Sequence, residues 1–432
     1  MRRLHFIASV ATFVVALPLR AQDSIPHRVV APVEARSTET IGIVRGVRHL
    51  PDGRVLVNDA IKRRLIVFDA KLANFTTIID STPGAVNSYG RGSAPMFPYA
   101  GDSTIFVDIS SQSLLVLDGT GKVVRVTAPP RPSDVIALSA TATAFDGKGR
   151  LVYRVTPRPT PATMMAASRG GTVNPFIVDS ATIVRADFDT RSVDTIARVK
   201  VATGNRSESR AGASPEERYM KQIINPLTWL DDWVVTSDGA VALIRGRDYH
   251  IDWIKPDGST SSSPKMPYDW RRLTDDDKQK IVDSLRIYYD SITKLPEMLP
   301  TGTMMGPDGV QRRMVYHLEV AFVPLNEIPD YYPPIRTGSV FADRDGNVWI
   351  LPYTSAKSQN KGLVYDVVNK DGVLIERVEL PEGRSIAGFG RGGVIYMMHP
   401  APLAKPTDRP GSAGFFLERT RVVGSKAIAQ TP

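Results

Sequence analysis

The chain has 432 residues, 42% of them apolar, with 33 glycines and 33 prolines. That suits several ordinary domains or one large all-β domain, and it excludes a collagen-like, coiled-coil or wholly disordered chain. No cysteine is present, which excludes disulfides, thiolate metal sites and a lipid-modified cysteine anchor, and the formal charge of +9 modestly favours anionic partners or surfaces, the alternative being a solvated basic surface.

The N-terminus reads as a secretory signal. Arg2 and Arg3 make a basic start, residues 6–17 are almost wholly apolar, and Leu19-Arg20-Ala21 offers a cleavage site that leaves Gln22 first. The apolar run is shorter than the roughly 20 residues a membrane span needs, and no later segment approaches that length. The expectation is an exported protein, periplasmic or extracellular, with a signal peptide at 1–21, one folded unit at 22–424 and a flexible tail at 425–432. Removing Arg2, Arg3 and Arg20 leaves the rest still cationic. There is no dense Lys/Arg run, so nucleic acid is not an expected partner.

One phrase then recurs along the chain. Asp52-Gly53-Arg54-Val55-Leu56-Val57 is a two-residue turn running into an apolar strand. It returns as Asp146-Gly147-Lys148-Gly149-Arg150-Leu151-Val152, Asp238-Gly239-Ala240-Val241-Ala242-Leu243 and Asp345-Gly346-Asn347-Val348-Trp349-Ile350, with looser copies at 101–107 and 390–396. Asp and Gly tolerate the backbone angles of tight turns, so each copy predicts a hairpin. A second turn recurs after each following strand, as in Asp118-Gly119-Thr120-Gly121-Lys122 and Asn369-Lys370-Asp371-Gly372. Each unit thus has four strands, named a to d. In the first unit they are expected at 44–50, 54–58, 64–68 and 75–79.

The sixth unit has only a (385–389), b (394–398) and c (414–421) before the chain ends. A radial array of sheets must close or expose an edge. Residues 29–40 have no partner in the first unit, so they are expected to supply the missing strand d. Recurrence of one supersecondary unit at this spacing signals a repeat architecture.

The a–b and c–d turns are short throughout. The long segments, 80–95, 156–178, 202–228, 267–337, 353–361 and 399–413, are all b–c or d–a connections and so share one face of the array. That bias marks the loop-rich face as the working one and the short-turn face as the plain one. The longest insertion holds a helix. Thr274 caps it, Asp275, Asp276 and Asp277 fill the first turn, and Ile281, Leu285, Tyr288, Ile292 and Leu295 form an apolar stripe up to Pro296. It serves as a lid or docking helix, or simply packs on the blades. A second helix is expected from Ser214-Pro215-Glu216-Glu217, ending at Asn225-Pro226.

The unit ending in Gly338-Ser339-Val340-Phe341-Ala342-Asp343-Arg344-Asp345-Gly346-Asn347-Val348-Trp349-Ile350 resembles a blade of the NHL-like or TolB-like six-bladed β-propellers, exported bacterial type. The resemblance implies an all-β, six-bladed β-propeller of four-stranded antiparallel blades. Its ring is closed by an N-terminal strand, and a helical insertion (267–330) lies between blades 4 and 5. Such motifs specify a blade and not an activity. Lactonase-type propellers hold a divalent ion with a Glu, Asn and Asp set; the Glu-bearing loop expected at the first blade is missing here, although Asn58-Asp59 ends a strand b near the right face.

No HxH, HExxH or Gly-x-Ser-x-Gly pattern occurs. His399 and Asp59 are the candidates for a divalent cation, calcium or zinc. Trp233, Trp253 and Trp349 read as core between blades. The loop-rich face carries arginines and tyrosines, residue types that anchor ligands: Arg91, Arg245, Arg247, Tyr331, Tyr332, Arg336 and Tyr353, with Asp248 beside Arg247 as a further ligand-binding candidate. The alternative for these is local packing and pairing with neighbouring carboxylates. The expected function is a monomeric binding module for a small anionic ligand, a sugar, a peptide or an envelope or extracellular protein. A metal-dependent hydrolase, lyase or lactonase-like enzyme at the channel mouth is the first alternative, and a scaffold subunit of an envelope complex the second.

Overall fold

A computed structural model describes residues 25–82, 88–90, 95–140, 143–155, 179–202, 206–293, 302–306, 308–356, 362–403 and 413–422. The signal segment at 1–21, Arg91, the 156–178 connection, Leu295 and the tail at 425–432 lie outside the described residues.

Six antiparallel sheets make a six-bladed β-propeller. Blade 1 has strands a to d at Val44–His49, Val55–Asp59, Arg64–Phe68 and Phe75–Ile79. Blade 2 has Met96–Pro98, Thr104–Asp108, Ser113–Leu117 and Val123–Thr127. Blade 3 has Thr143–Phe145, Arg150–Val155, Ser180–Asp187 and Val193–Lys200. Blade 4 has Asp232–Val235, Val241–Arg245, His250–Ile254 and Thr260–Ser262. Blade 5 has Val340–Ala342, Val348–Ile350, Val364–Val368 and Leu374–Glu379. Blade 6 takes a, b and c from Ser385–Phe389, Val394–Pro400 and Phe415–Arg421.

The strand chemistry follows from stacking. Strand b of blade 1 is packed on both faces, so all five of its residues are buried and its sequence does not alternate. Strand d of the same blade is the outer edge, and its first three residues are exposed. Apolar clusters fill each gap between neighbouring blades, including the gap between blades 6 and 1. Trp233, Trp253 and Trp349 sit in three of these clusters. Each Asp-Gly turn is tied internally: Asp52 accepts from Arg54 N (3.0 Å), and Asp238 accepts from Ala240 N (3.1 Å). Gly239 has φ +83°, and a Cβ there would lie 2.1 Å from the Asp146 carbonyl of the neighbouring blade. That turn therefore needs glycine for both angle and space.

The N-terminal segment closes the ring, as expected, and does more. Ala35–Arg36 pairs antiparallel with strand c of blade 6 as its strand d. Isolated bridges Val30 to Val422 and Ile41 to Phe415 extend that contact. Upstream, His27–Val29 adds a fifth, parallel strand to blade 5, with His27 opposite Arg377. One short segment thus latches two blades.

The two long d–a insertions meet. A hairpin of Arg206–Ala211 and Glu217–Ile224 leaves blade 3, and Val315–Phe322 precedes blade 5; the last two pair in parallel over eight residues to make one three-stranded sheet. This corrects the helix expected from residue 214. Ser214-Pro215-Glu216 forms a hairpin turn instead, with Glu217 N donating to Ser214 O (3.1 Å) and Glu217 Oε2 accepting from Ala213 N (2.7 Å). Caps and turns use the same residue types, and the partner strand lies about a hundred residues downstream, beyond the reach of local pattern.

The long helix runs over Asp275–Ile292 with the expected Thr274 cap. Its buried stripe is shifted from the expected one. Val282 is buried, Ile281, Leu285 and Tyr289 are half-buried, and Tyr288 is 55% exposed. Tyr289 rather than Tyr288 meets Phe322 (6.2 Å between centroids). Lys278 is buried on this face and pairs with Asp330 (2.7 Å). The helix, the sheet and residues 323–332 form a seventh apolar cluster over the disc. Among the described residues no helix is long and apolar enough to cross a membrane.

Candidate ligand site at the channel mouth

In an antiparallel blade, strand a begins and strand b ends on the d–a and b–c face. Six such beginnings therefore converge around the channel on the loop-rich side. There they line a cavity of about 570 Å3, to which every blade contributes, among them Arg45, Met96, Phe97, Arg154, Asp232 and Phe341. Most of the wall is apolar or aromatic, and the ionisable groups are few. That is the composition expected of a small-molecule pocket.

Asp232 opens strand a of blade 4 and is buried. Its Oδ2 accepts from Gly338 N of blade 5 (2.9 Å), and its Oδ1 accepts from Trp233 N (3.0 Å). Burial nevertheless pushes its carboxyl from the ordinary 3.8 up to about 6, against those donors and the charge of Arg154. Arg154 stands near the end of strand b of blade 3. Burial lowers its pKa, and Asp232 is the charge that opposes the shift. The mouth thus holds a desolvated guanidinium and a carboxyl that changes protonation in the mildly acidic range. Such a pair can bind a polar ligand in either proton state and can give or take a proton.

The residues expected from sequence fall elsewhere. Arg245, Arg247 and Asp248 do come together, with Lys200, Trp229 and His250, in a second cavity of about 600 Å3 at the b–c turn of blade 4. Arg245 is closed there by Asp252 (2.7 Å) and Asp231 (2.8 Å), a local pairing with neighbouring carboxylates. Asp248 pairs with Lys265 (3.4 Å), whereas Arg247 is exposed and makes no ion pair among the described residues. Trp229 leans on Trp270 (5.9 Å between centroids), and Trp270 stands edge-on to Tyr268 (4.9 Å).

Tyr332 and Tyr353 stack on each other (5.5 Å, 25°) and pack against the cluster under the insertion. Burial raises the pKa of Tyr353, with the charge of Arg336 opposing it. Tyr331 is 40% exposed and bridges to the backbone of Arg272, and Arg336 is exposed. None of these residues is among those lining the channel cavity.

The two cation candidates do not make a metal site together. Asp59 is fully buried with its oxygens taken by Gly42 N (3.0 Å), Lys62 N (3.3 Å) and Arg64 Nε (3.2 Å). His399 Nδ1 faces Glu418 (3.1 Å), which also holds Arg384 (3.0 Å). Among the described residues no three His, Asp or Glu side chains gather as a metal-binding group. A divalent cation does not fit the donors on hand at either residue.

Sequence reasoning missed Asp232, Arg154 and Arg45. One signal was present. Asp231-Asp232 places charge at the start of a strand a, the position that looks into the channel on the elaborated face.

No protein-family model matches the chain, and no curated protein matches it either. Among solved structures it is similar to a luciferin-regenerating enzyme at 11% identity, covering 91% of this chain and 95% of that one with a TM-score of 0.40. It is similar to the calcium-binding protein regucalcin from Agrobacterium tumefaciens at 10% identity, covering 92% and 96% with a TM-score of 0.38. It is also similar to virginiamycin B lyase from Staphylococcus aureus at 10% identity, covering 89% and 97% with a TM-score of 0.35. At this level the likenesses decide nothing about the site, and the six-bladed assignment rests on the strand pairing itself.

Proposed function

We propose that this protein is an exported, NHL-like or TolB-like propeller that binds a small anionic or polar ligand in the mouth of its channel on the loop-rich face. The observation that carries the reading is the cavity of about 570 Å3 built from all six blades around Arg154 and Asp232. Arg154 supplies a desolvated, planar donor, which favours a carboxylate or a similarly forked anion. Asp232, protonated below about 6, turns from a repulsive charge into a hydrogen-bond donor toward the same anion. Binding is therefore expected to strengthen as the pH falls through 6. The test is calorimetric titration with a panel of small carboxylates and acidic sugars on wild type, Arg154→Gln and Asp232→Asn. Saturable binding that Arg154→Gln abolishes supports the reading; a panel that binds nowhere, or binds Arg154→Gln equally well, sinks it.

The raised pKa of Asp232 favours a second reading, an enzyme of the hydrolase or lyase kind in which Asp232 transfers a proton to or from the bound ligand. Its signature is a rate profile that inflects near pH 6 and loses the inflection in Asp232→Asn.

A further inference from the structure

The opposite end of the channel, where strands a end in short turns, carries a different chemistry. Arg48 lies near the end of strand a of blade 1, Arg344 in the a–b turn of blade 5, and Arg391 in the a–b turn of blade 6. Arg48 is only 5% exposed. Its Nε donates to Thr104 Oγ1 (3.2 Å) and its Nη2 to Ser103 O (3.2 Å), both neutral acceptors on blade 2. Among the described residues neither Arg48 nor Arg344 has a carboxylate within ion-pair distance. Arg391 pairs with Asp102 of blade 2 (2.7 Å), so a single carboxylate serves the group.

The charges feel one another. Burial lowers Arg48 to about 10, the charges of Arg344 and Arg391 push the same way, and only Asp102 opposes. Arg344 is lowered by burial and then by Arg391, again against Asp102 alone. The neighbouring His49, whose Nδ1 meets the Tyr396 hydroxyl at 2.7 Å, is lowered by burial and by Arg419, Arg391, Arg344 and Arg421. Glu34 offers no relief, because Arg419 (3.2 Å) and Arg421 (3.0 Å) already hold it. A buried cation without a counter-charge is costly unless something supplies one.

We infer that this end of the channel is a second binding site, for a doubly charged oxyanion of the phosphate or sulfate type held by Arg48, Arg344 and Arg391. Three guanidinium groups against Asp102 leave a local charge that a dianion neutralises. Arg48 and Arg391 both reach the 102–104 segment of blade 2, and Arg344 stands in the turn of blade 5 at the same end of the channel, so an oxyanion beside that segment meets cationic donors that prefer charged oxygens. The site goes beyond the channel-mouth reading and shares none of its residues.

The test is calorimetry and thermal melting of the purified protein with inorganic phosphate and sulfate, against sodium chloride at matched ionic strength of about 50 mM, where screening is weak. Wild type is expected to bind one dianion saturably and to melt higher with it. Arg344→Gln should weaken binding by about tenfold or more and, without anion, melt no lower than wild type, because it relieves repulsion. Arg54→Gln, on the same face but paired with Asp52 (2.6 Å), should bind as wild type does. Equal binding by wild type, Arg344→Gln and Arg391→Gln would overturn the site, as would a melting shift that chloride reproduces. Arg48→Gln would disturb packing as well as charge, because Arg48 is only 5% exposed. Failure here leaves the channel-mouth reading standing, because that reading is tested through Arg154 and Asp232.

Discussion

The two ends of the channel are built from the same strands and differ in almost everything else. On the loop-rich side, the face that carries the long d–a insertions, the channel opens in a cavity whose charges are of opposite sign, Arg154 beside Asp232. On the short-turn side, nothing is inserted, and three arginines of like sign, Arg48 buried, Arg344 half-buried and Arg391 exposed, share one carboxylate. Loop length marks where a fold has been elaborated. Uncompensated charge marks where it waits for a partner. In this disc the two signals point to opposite faces.

The largest effect should come from unlatching the ring that holds both ends. A protein starting at residue 39 loses the pairing of 27–29 with blade 5 and of 35–36 with blade 6. It is expected to lose several kcal/mol and its single cooperative transition, roughly as an exposed sheet edge implies. Circular dichroism melting checks this, and an unchanged midpoint would mean that neither end depends on the latch.

Next is the pH response of the mouth. Asp232 has a folded pKa above its unfolded one, so its contribution to stability is fully present below 3.8 and is lost as pH rises through about 6. The loss is on the order of 2–3 kcal/mol by pH 7. Asp232→Asn keeps an acceptor for Gly338 N and cannot ionise. Denaturation curves should therefore show the variant equal to or more stable than wild type at pH 7, with the gap closing toward pH 4. A gap that widens toward low pH would reverse the assignment.

The turn side should answer to salt rather than to pH. Arg344→Gln is expected to stabilise by about 1 kcal/mol at low ionic strength and by less at high salt, which screens the repulsion but not the burial cost of the guanidinium. Stabilisation that is the same at both salt concentrations would mean burial or packing, not repulsion. The smallest effect belongs to Arg247, exposed and without an ion pair among the described residues. Arg247→Ala should leave stability within about 0.5 kcal/mol of wild type. A larger fall in denaturant titrations would show that the blade-4 cavity is structural.

The blades were legible in the sequence because each is local. Asp-Gly turns and doubly packed strands such as Val55–Asp59 carry their signal within a dozen residues. Ring closure was legible by elimination, since blade 6 lacked a strand and 29–40 lacked a partner. The hairpin at 206–224 was not, because its third strand comes from 315–322, and the parallel strand at 27–29 was not, because blade 5 already looked complete. The site follows the same rule. Arg245, Arg247 and Asp248 are neighbours in sequence and were found together. Arg154 and Asp232 belong to different blades, as do Arg48, Arg344 and Arg391. No pattern in a linear string says that such residues meet, and only their places at the ends of the inner strands a and b and in the a–b turns could have suggested it.

The latch also imposes an order in time. Ala35 pairs with Arg419, and Arg36 with Glu418, so the earliest of the described residues to be synthesised are among the last to find partners. Contacts this distant in sequence are slow to form, because the whole intervening chain must first be arranged. Blades 1 to 4 can pair within themselves during elongation, while blades 5 and 6 keep an open border until the first segment returns. Refolding from denaturant should therefore end in a slow step that restores the N-terminal strands. During that step, unpaired edges are the surface through which two copies would stick.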